Sequence, residues 1–308
     1  MLDSELHTDE KFQFDVATGM SEGPGEAHKA SVLSNFILGR NHGFAVIAEG
    51  VGGQIDAPLA SSFATTEVFS YLKLQENALE NGKYSTTFVL QQAVRSANSK
   101  IGNHIKQHRA SSGMGTALLV PMVRNDRLFW ISGGNAFLYL LRDGMLRKIN
   151  KDGALEDAAG VEQEVSVDAQ VKNGVSKKRA PVNGDTLNDL DCPDAAVQLK
   201  SGDILLAGTE GMHALPNEKL AACLIEGATH RSVDIVSSII KAMQSSSAAD
   251  KDTAGFVVIK VATTGVQDGV IDLDQMPVVA QVAAETPKAD APKERKVRWY
   301  RGQKYYQD

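Results

Sequence analysis

The spacing of apolar residues predicts alternating strands and helices from about residue 12 to residue 262. Apolar and polar positions alternate at Phe12, Phe14 and Val16, which predicts an opening strand. A second strand is expected at residues 32–38, where apolar residues recur after a turn rich in glycine. These two strands precede residues 44–53, the stretch around which the rest of the chain is organised.

The central stretch is FAVIAEGVGG, residues 44–53. Its five apolar residues predict a strand buried on both faces, because a half-exposed strand would alternate with polar residues. Glu49 is then expected at the end of that strand. The glycines after it allow a sharp turn and a close approach of the backbone to an ion or a phosphate. An ordinary turn with a surface glutamate is the alternative interpretation.

Apolar residues at helical spacing predict two core-facing helices within residues 57–108. Further along, short apolar runs bounded by turn residues predict more strands and two further helices. The predicted strands lie at 117–123, 128–131, 204–207 and after Thr253, and the helices begin near Pro216 and Val233.

The composition is that of an ordinary globular protein, with 43% hydrophobic and 23% charged residues. A net charge of −6 argues against a general nucleic-acid binder. No apolar run approaches the roughly 20 residues that a membrane span needs. The acidic N-terminus is unlike a secretory signal, and the two cysteines lack metal-type spacing. We therefore expect a cytoplasmic protein with reduced thiols that binds neither nucleic acid nor membranes.

Several motifs then occur in one order, and together they resemble a known family. The stretch 44–53 resembles an Asp-Gly-x-Gly-Gly motif, residues 139–144 match a strand and its Arg-Asp-Gly hairpin, and residues 209–211 resemble Ser-Asp-Gly. Residues 250–253 resemble Asp-Asn-x-Thr, ahead of a final strand. In this order the motifs resemble the type 2C (PPM, metal-dependent) Ser/Thr protein phosphatases, in particular bacterial members. The resemblance covers about residues 12–262.

The resemblance implies an α+β fold, in which two stacked antiparallel sheets are flanked by pairs of helices. It also implies domain boundaries: a phosphatase-like domain at 1–263, with a variable flap at about 153–197 that is expected to be irregular and mobile. A linker rich in proline and alanine is expected at 264–297, and a basic, aromatic tail at 298–308.

The resemblance further implies a metal site. In the family, an Asp that bridges two metal ions stands where this chain has Glu49, and the carbonyl of the next glycine, here Gly50, binds one ion. Glu210 stands at another ligand position, and Asp250 (or Asp252) at the last one. These oxygen ligands suit a single Mn²⁺ or Mg²⁺ ion. Either one ion or none is expected.

Other polar positions of the family motifs are altered. Glu26 stands where the family has its phosphate-binding Arg, and Ser31 where it has an acidic residue. Asn135 and Phe137 replace the Asp and the Arg of a Gly-Asp-Ser-Arg motif, and Gly153 replaces a His. Near the end, Thr253 keeps the Thr of its motif.

These changes predict a pseudophosphatase, a regulatory or phosphoprotein-binding module with little or no hydrolysis. The alternative is a divergent phosphatase that hydrolyses phosphomonoesters with a metal-activated water. Its partner would be a protein or phosphoprotein. Arg298, Trp299, Tyr300 and Tyr305 are candidate partner-binding residues, since arginine and aromatic residues anchor many interfaces. A disordered tail is the alternative.

Overall fold

The computed structural model describes residues 11–21, 28–37, 40–151, 180–245, 253–264, 280–283, 297–300 and 303–306. Its strands are β1 (Lys11–Ser21), β2 (Ala30–Phe36), β3 (His42–Val51), β4 (Gly115–Arg124), β5 (Arg127–Gly133), β6 (Ala136–Arg142), β7 (Met145–Lys148), β8 (Val197–Gln198), β9 (Ile204–Thr209), β10 (Ala254–Thr264), β11 (Ala280–Ala283), β12 (Val297–Tyr300) and β13 (Gln303–Tyr306). Its α-helices are α1 (Gly53–Glu80), α2 (Thr86–Gln107), α3 (Asn217–Glu226) and α4 (Ser232–Gln244).

The strands form two stacked sheets. One sheet has the order β11-β1-β10-β9-β6-β7 and the other the order β2-β3-β4-β5-β8, while β12 and β13 pair as a separate hairpin. The pairing of β11 with β1 is parallel, whereas the other strand pairings are antiparallel. Helices α1 and α2 cover the outer face of the five-stranded sheet, and α3 and α4 cover that of the six-stranded sheet. This confirms the predicted α/β/β/α sandwich.

Strand β3 shows why the central stretch reads as continuously apolar. Val46 packs in the layer that contains Leu72 of α1, whereas the next residue, Ile47, faces the other sheet and packs in the layer that contains Ile259. Successive side chains of a strand point to opposite faces. Because both faces of β3 are covered, both sets of side chains must be apolar.

The stretch predicted as a loose flap is partly packed into the core. Val182 is fully buried, and its backbone N–H and C=O both pair with Thr116 of β4 at 2.9 Å. Asp191 accepts a 2.8 Å hydrogen bond from the indole Nε1 of Trp130. Residues 180–196 are irregular, as predicted, apart from isolated bridges at Val182 and Asp191, and these contacts pack part of the segment against β4 and β5. Residues 152–179, with Gly153, lie outside the described residues.

The predicted linker at 264–297 also contains regular structure. Strand β11 pairs with β1 over four residues, from Ala17↔Ala280 to Met20↔Ala283. An unpaired edge of β1 would leave a row of backbone donors and acceptors without partners, and β11 supplies them. The linker prediction is thus corrected at residues 280–283.

Among the described residues, none of the helices combines the length and apolar composition that a bilayer span requires.

Candidate functional site

Glu49 lies in β3, two residues before the strand ends at Val51, and so close to the strand end at which it was predicted. Its side chain lies on the face of β3 that points toward the other sheet, as do those of Ala45 and Ile47. Only 8% of its surface is exposed. The backbone N–H of Gly211 donates a long hydrogen bond to its Oε2, with a donor–acceptor distance of 3.5 Å. The carboxylate therefore spans the gap between the two sheets.

Gly211 follows Glu210 in a 3₁₀ turn, Glu210–Ala214, which begins directly after β9. A Cβ on Gly211 would lie 2.3 Å from the carbonyl oxygen of Thr253, so this turn is in backbone contact with the residue that precedes β10. Thr253 itself is 1% exposed. The structure thus brings Glu49, Glu210 and Thr253 to one end of the sandwich, although they lie far apart in the sequence.

Gly50 is held tightly between two elements. A Cβ at this position would lie 1.7 Å from the carbonyl oxygen of Ala57 in α1, so only glycine fits there. Its N–H donates to the carbonyl oxygen of Lys29 at 2.9 Å. Across the strand, the buried hydroxyl of Thr116 donates to the carbonyl oxygen of Glu49 at 3.0 Å. The sequence analysis did not identify Thr116 as a support of the site.

Asn135 is half-buried in the loop between β5 and β6. The preceding Gly134, with φ 71°, lies against Ala117, the cross-strand neighbour of Glu49. This loop therefore reaches the end of the sandwich that holds Glu49. Phe137 instead belongs to the core under α3 and α4, is 1% exposed, and stacks on the ring of His213 with 5.3 Å between the centroids.

Ser31 is not brought to these carboxylates. It lies opposite Ala48 in the pairing of β2 with β3, and Ala48 packs in the layer under α1 and α2. Its hydroxyl pairs with that of Thr65 in α1 at 2.9 Å. Residues that pair directly across two strands point to the same face, so Ser31 and Glu49 lie on opposite faces of the sheet.

The other predicted site residues lie outside the description. Glu26, Asp250 and Asp252 fall in the gaps at 22–27 and 246–252. Arg298, Trp299, Tyr300 and Tyr305 fall in β12 and β13, whose side chains are not described. Among the described residues, no three His, Cys, Asp or Glu side chains are grouped so that they could hold a metal ion.

Two exposed aliphatic residues border this end of the sandwich. Val51, 45% exposed, ends β3, and Ile55, 83% exposed, lies in the first turn of α1. In the same turn, Asp56 accepts a 2.8 Å hydrogen bond from the hydroxyl of Ser111. This end of the sandwich therefore carries exposed apolar side chains beside a side-chain hydrogen bond that joins α1 to Ser111.

A cavity of about 220 Å³ lies at the far end of β3 and β4, away from Glu49. Its walls include Met122, Glu76, Arg124 and His42. Burial lowers the pKa of His42, and the nearby Glu80 carboxylate opposes that shift. None of the predicted site residues lines this cavity. We therefore place the candidate site at the end that contains Glu49.

Comparison with protein-family models and with curated protein sequences finds no match. Solved structures do match. The catalytic domain of the Ser/Thr phosphatase PstP, in complex with two manganese ions, is similar with a TM-score of 0.62 and 20% identity, over 82% of this chain and 99% of that one. PppA, a regulatory component of the type VI secretion system of Pseudomonas aeruginosa, is similar with a TM-score of 0.57 and 16% identity, over 82% and 100%.

The PPM Ser/Thr phosphatase MsPP of Mycobacterium smegmatis, in complex with cacodylate, is also similar, with a TM-score of 0.57 and 17% identity over 80% of this chain and 97% of that one. At such identities the likeness establishes the fold. The chain has the type 2C fold of bacterial metal-dependent Ser/Thr phosphatases, as its motifs predicted.

Proposed function

We propose that the protein is a pseudophosphatase of the type 2C fold, which acts by binding a protein or phosphoprotein and hydrolyses little or no phosphate. The observation that carries this proposal is the contact between Oε2 of Glu49 and the Gly211 amide. A carboxylate oxygen that turns to accept a hydrogen bond from the protein has one lone pair fewer for an ion, so we expect Glu49 to bind an ion weakly. The longer side chain of Glu, compared with the Asp of the resembling motif, is what allows this turn.

The altered geometry matters because metal-assisted phosphoryl transfer depends on placement. Mg²⁺ requires near-ideal octahedral coordination, and a shift of about 1 Å in a reacting group can cost on the order of 10²-fold in rate. Both described ligand positions, Glu49 and Glu210, carry one methylene more than Asp. Phe137 adds support, because its buried ring can take no part in binding an anion.

The donors at the site nevertheless suit a hard cation. Two carboxylates, Glu49 and Glu210, and the Gly50 carbonyl offer oxygen atoms, which Mn²⁺ and Mg²⁺ prefer. We propose that these groups, with Asp250 or Asp252, hold at most one such ion. When bound, the ion would polarise a phosphoryl oxygen or lower the pKa of a water ligand. The protein groups would fix its position between the sheets.

The alternative is a divergent but active phosphatase. In its favour, Glu49 and Glu210 stand on adjoining elements at one end of a fold that the manganese-bound PstP domain shares. In that case, the two glutamates would act as ligands in a rearranged site. The two proposals differ in the metal affinity and turnover that they predict.

Calorimetric titration with Mn²⁺ tests the metal site. We expect weak binding of at most one ion, and no binding to Glu49→Ala. The double variant Glu49→Asp/Glu210→Asp is expected to bind Mn²⁺ more tightly, because the shorter side chains cannot turn back onto the protein. The control is Glu226→Ala, which removes an exposed carboxylate from α3 and should leave the titration unchanged. Tight binding of two ions by the wild type would contradict the proposal and favour the active alternative.

A further inference from the structure

The ends of the two sheets are protected to different degrees. In the six-stranded sheet, β11 covers β1 at one end, and the other end is the four-residue β7. In the five-stranded sheet, β8 has only two residues, but β2 has seven. Within the part of the chain that the structure describes, β2 pairs with β3 on one side and with no strand on the other.

The sequence of β2 lacks the usual protection of an edge strand. From Ala30 to Ile37 there is no charged residue and no proline. Leu33 is 37% and Ile37 41% exposed. Proteins commonly place charges or prolines on long edge strands, because an uncharged edge recruits another strand. The missing protection indicates that this edge has a partner.

The backbone groups that β2 presents can be identified from its ladder with β3. The N–H of Gly50 donates to the carbonyl oxygen of Lys29 at 2.9 Å, so residues 29 and 50 form a hydrogen-bonded pair. Hydrogen-bonded pairs alternate along an antiparallel ladder. Residues 31, 33 and 35 therefore bond to β3, and the outward-facing backbone groups are those of Ala30, Val32, Ser34 and Phe36.

We propose that β2 pairs antiparallel with β2 of a second copy of this chain, about a two-fold axis at Leu33. This register sets Ala30 opposite Phe36 and Val32 opposite Ser34. Each of these residues directs its backbone groups outward, so the register satisfies the whole edge with about eight hydrogen bonds. A register shifted by one residue would pair groups that already bond to β3. The two five-stranded sheets become one continuous sheet.

The side chains favour a second copy as the partner. The two Leu33 side chains meet at the axis in a non-hydrogen-bonded pair, where side chains approach most closely. The small Ala30 lies opposite the large Phe36, and Ser31 lies opposite Asn35. Because the strand has no charge, its self-pairing brings no like charges together. An isologous dimer of this kind closes on itself and leaves no further edge of β2 open.

Sedimentation velocity of the full chain over a concentration series tests the dimer. The wild type is expected to shift from monomer to dimer as its concentration rises. Leu33→Lys should sediment as a monomer throughout, because two ammonium groups would face each other at the axis. Leu74→Lys is the matched control: it places the same charge on a leucine of α1 that is 80% exposed, and should dimerise like the wild type.

Cross-linking tests the register. In a non-hydrogen-bonded pair the Cα atoms lie about 4.5 Å apart, which is within the range of about 4.4–6.8 Å for disulfides. Leu33→Cys should therefore oxidise to a covalent dimer, whereas Leu74→Cys should give no more than the wild type, which carries the same Cys192 and Cys223. A monomer at all concentrations, open-ended aggregates, or a dimer that survives Leu33→Lys and fails to cross-link at position 33 would overturn the proposal.

Discussion

Gly50→Ala is expected to prevent the native fold. The added Cβ would lie 1.7 Å from the carbonyl oxygen and 2.4 Å from the carbonyl carbon of Ala57. These are backbone atoms of α1, so no side-chain rotation relieves the clash. Either β3 or the start of α1 must move, and this also displaces Glu49. We expect a loss of roughly 4 kcal/mol or more in the free energy of unfolding, or no soluble protein at all.

Denaturant unfolding followed by circular dichroism measures this effect. Gly113→Ala is the matched control, since a Cβ at Gly113 would meet no atom within 4 Å. That variant should change the free energy of unfolding by no more than about 0.5 kcal/mol. If Gly50→Ala unfolds like the control, β3 and α1 are not packed as described, and the position of Glu49 is in error.

Arg142→Met is expected to be the second most damaging substitution. The guanidinium forms two hydrogen bonds with the Asp203 carboxylate, Nε to Oδ1 at 2.8 Å and Nη2 to Oδ2 at 2.6 Å. These bonds raise the pKa of Arg142. The side chain of Asp203 is 1% exposed, so removal of the arginine leaves a buried carboxylate without its cation. That carboxylate still accepts a hydrogen bond from the backbone N–H of Lys200. We expect a cost of about 3 kcal/mol.

Lys73→Met provides the comparison for Arg142→Met. Lys73 pairs with Glu76 at 3.0 Å on the surface of α1, where such a pair contributes less than about 1 kcal/mol. The double variant Arg142→Met/Asp203→Leu should recover most of the stability, because it removes both charges together. Equal losses in Arg142→Met and Lys73→Met would show that the Asp203 pair is not buried as described.

Local pattern was sufficient to predict the strands and helices, whereas the stacking of the two sheets was predicted from the family resemblance. Burial imposes a period of two on strands and 3.6 on helices, so the alternation at Phe12, Phe14 and Val16 marks β1. Glycines with positive φ mark the turns, as at Gly144 after Asp143. These signals are local, and every element that was predicted from them is present in the structure.

Long-range contacts were not visible in the same way. Spacing aligned Ser31 with an acidic residue of the family motifs, but pairing with Ala48 puts its side chain on the helix face of the sheet. Val182 carries no periodic signal, yet its backbone bonds to Thr116 and its side chain fills the core. The contact between Glu49 and the Gly211 amide joins residues 162 positions apart, which a motif alignment does not convey.

Release of phosphate from a phosphothreonine peptide, at saturating Mn²⁺, compares the wild type directly with Glu49→Ala. We predict that the two proteins give the same rate within error, because a pseudophosphatase holds no ion in a productive position. The Glu49→Asp/Glu210→Asp variant should gain metal affinity but little turnover, since Glu26 stands at the motif position of the phosphate-binding Arg. Mn²⁺-dependent release by the wild type that disappears in Glu49→Ala would contradict the pseudophosphatase proposal and identify an active enzyme.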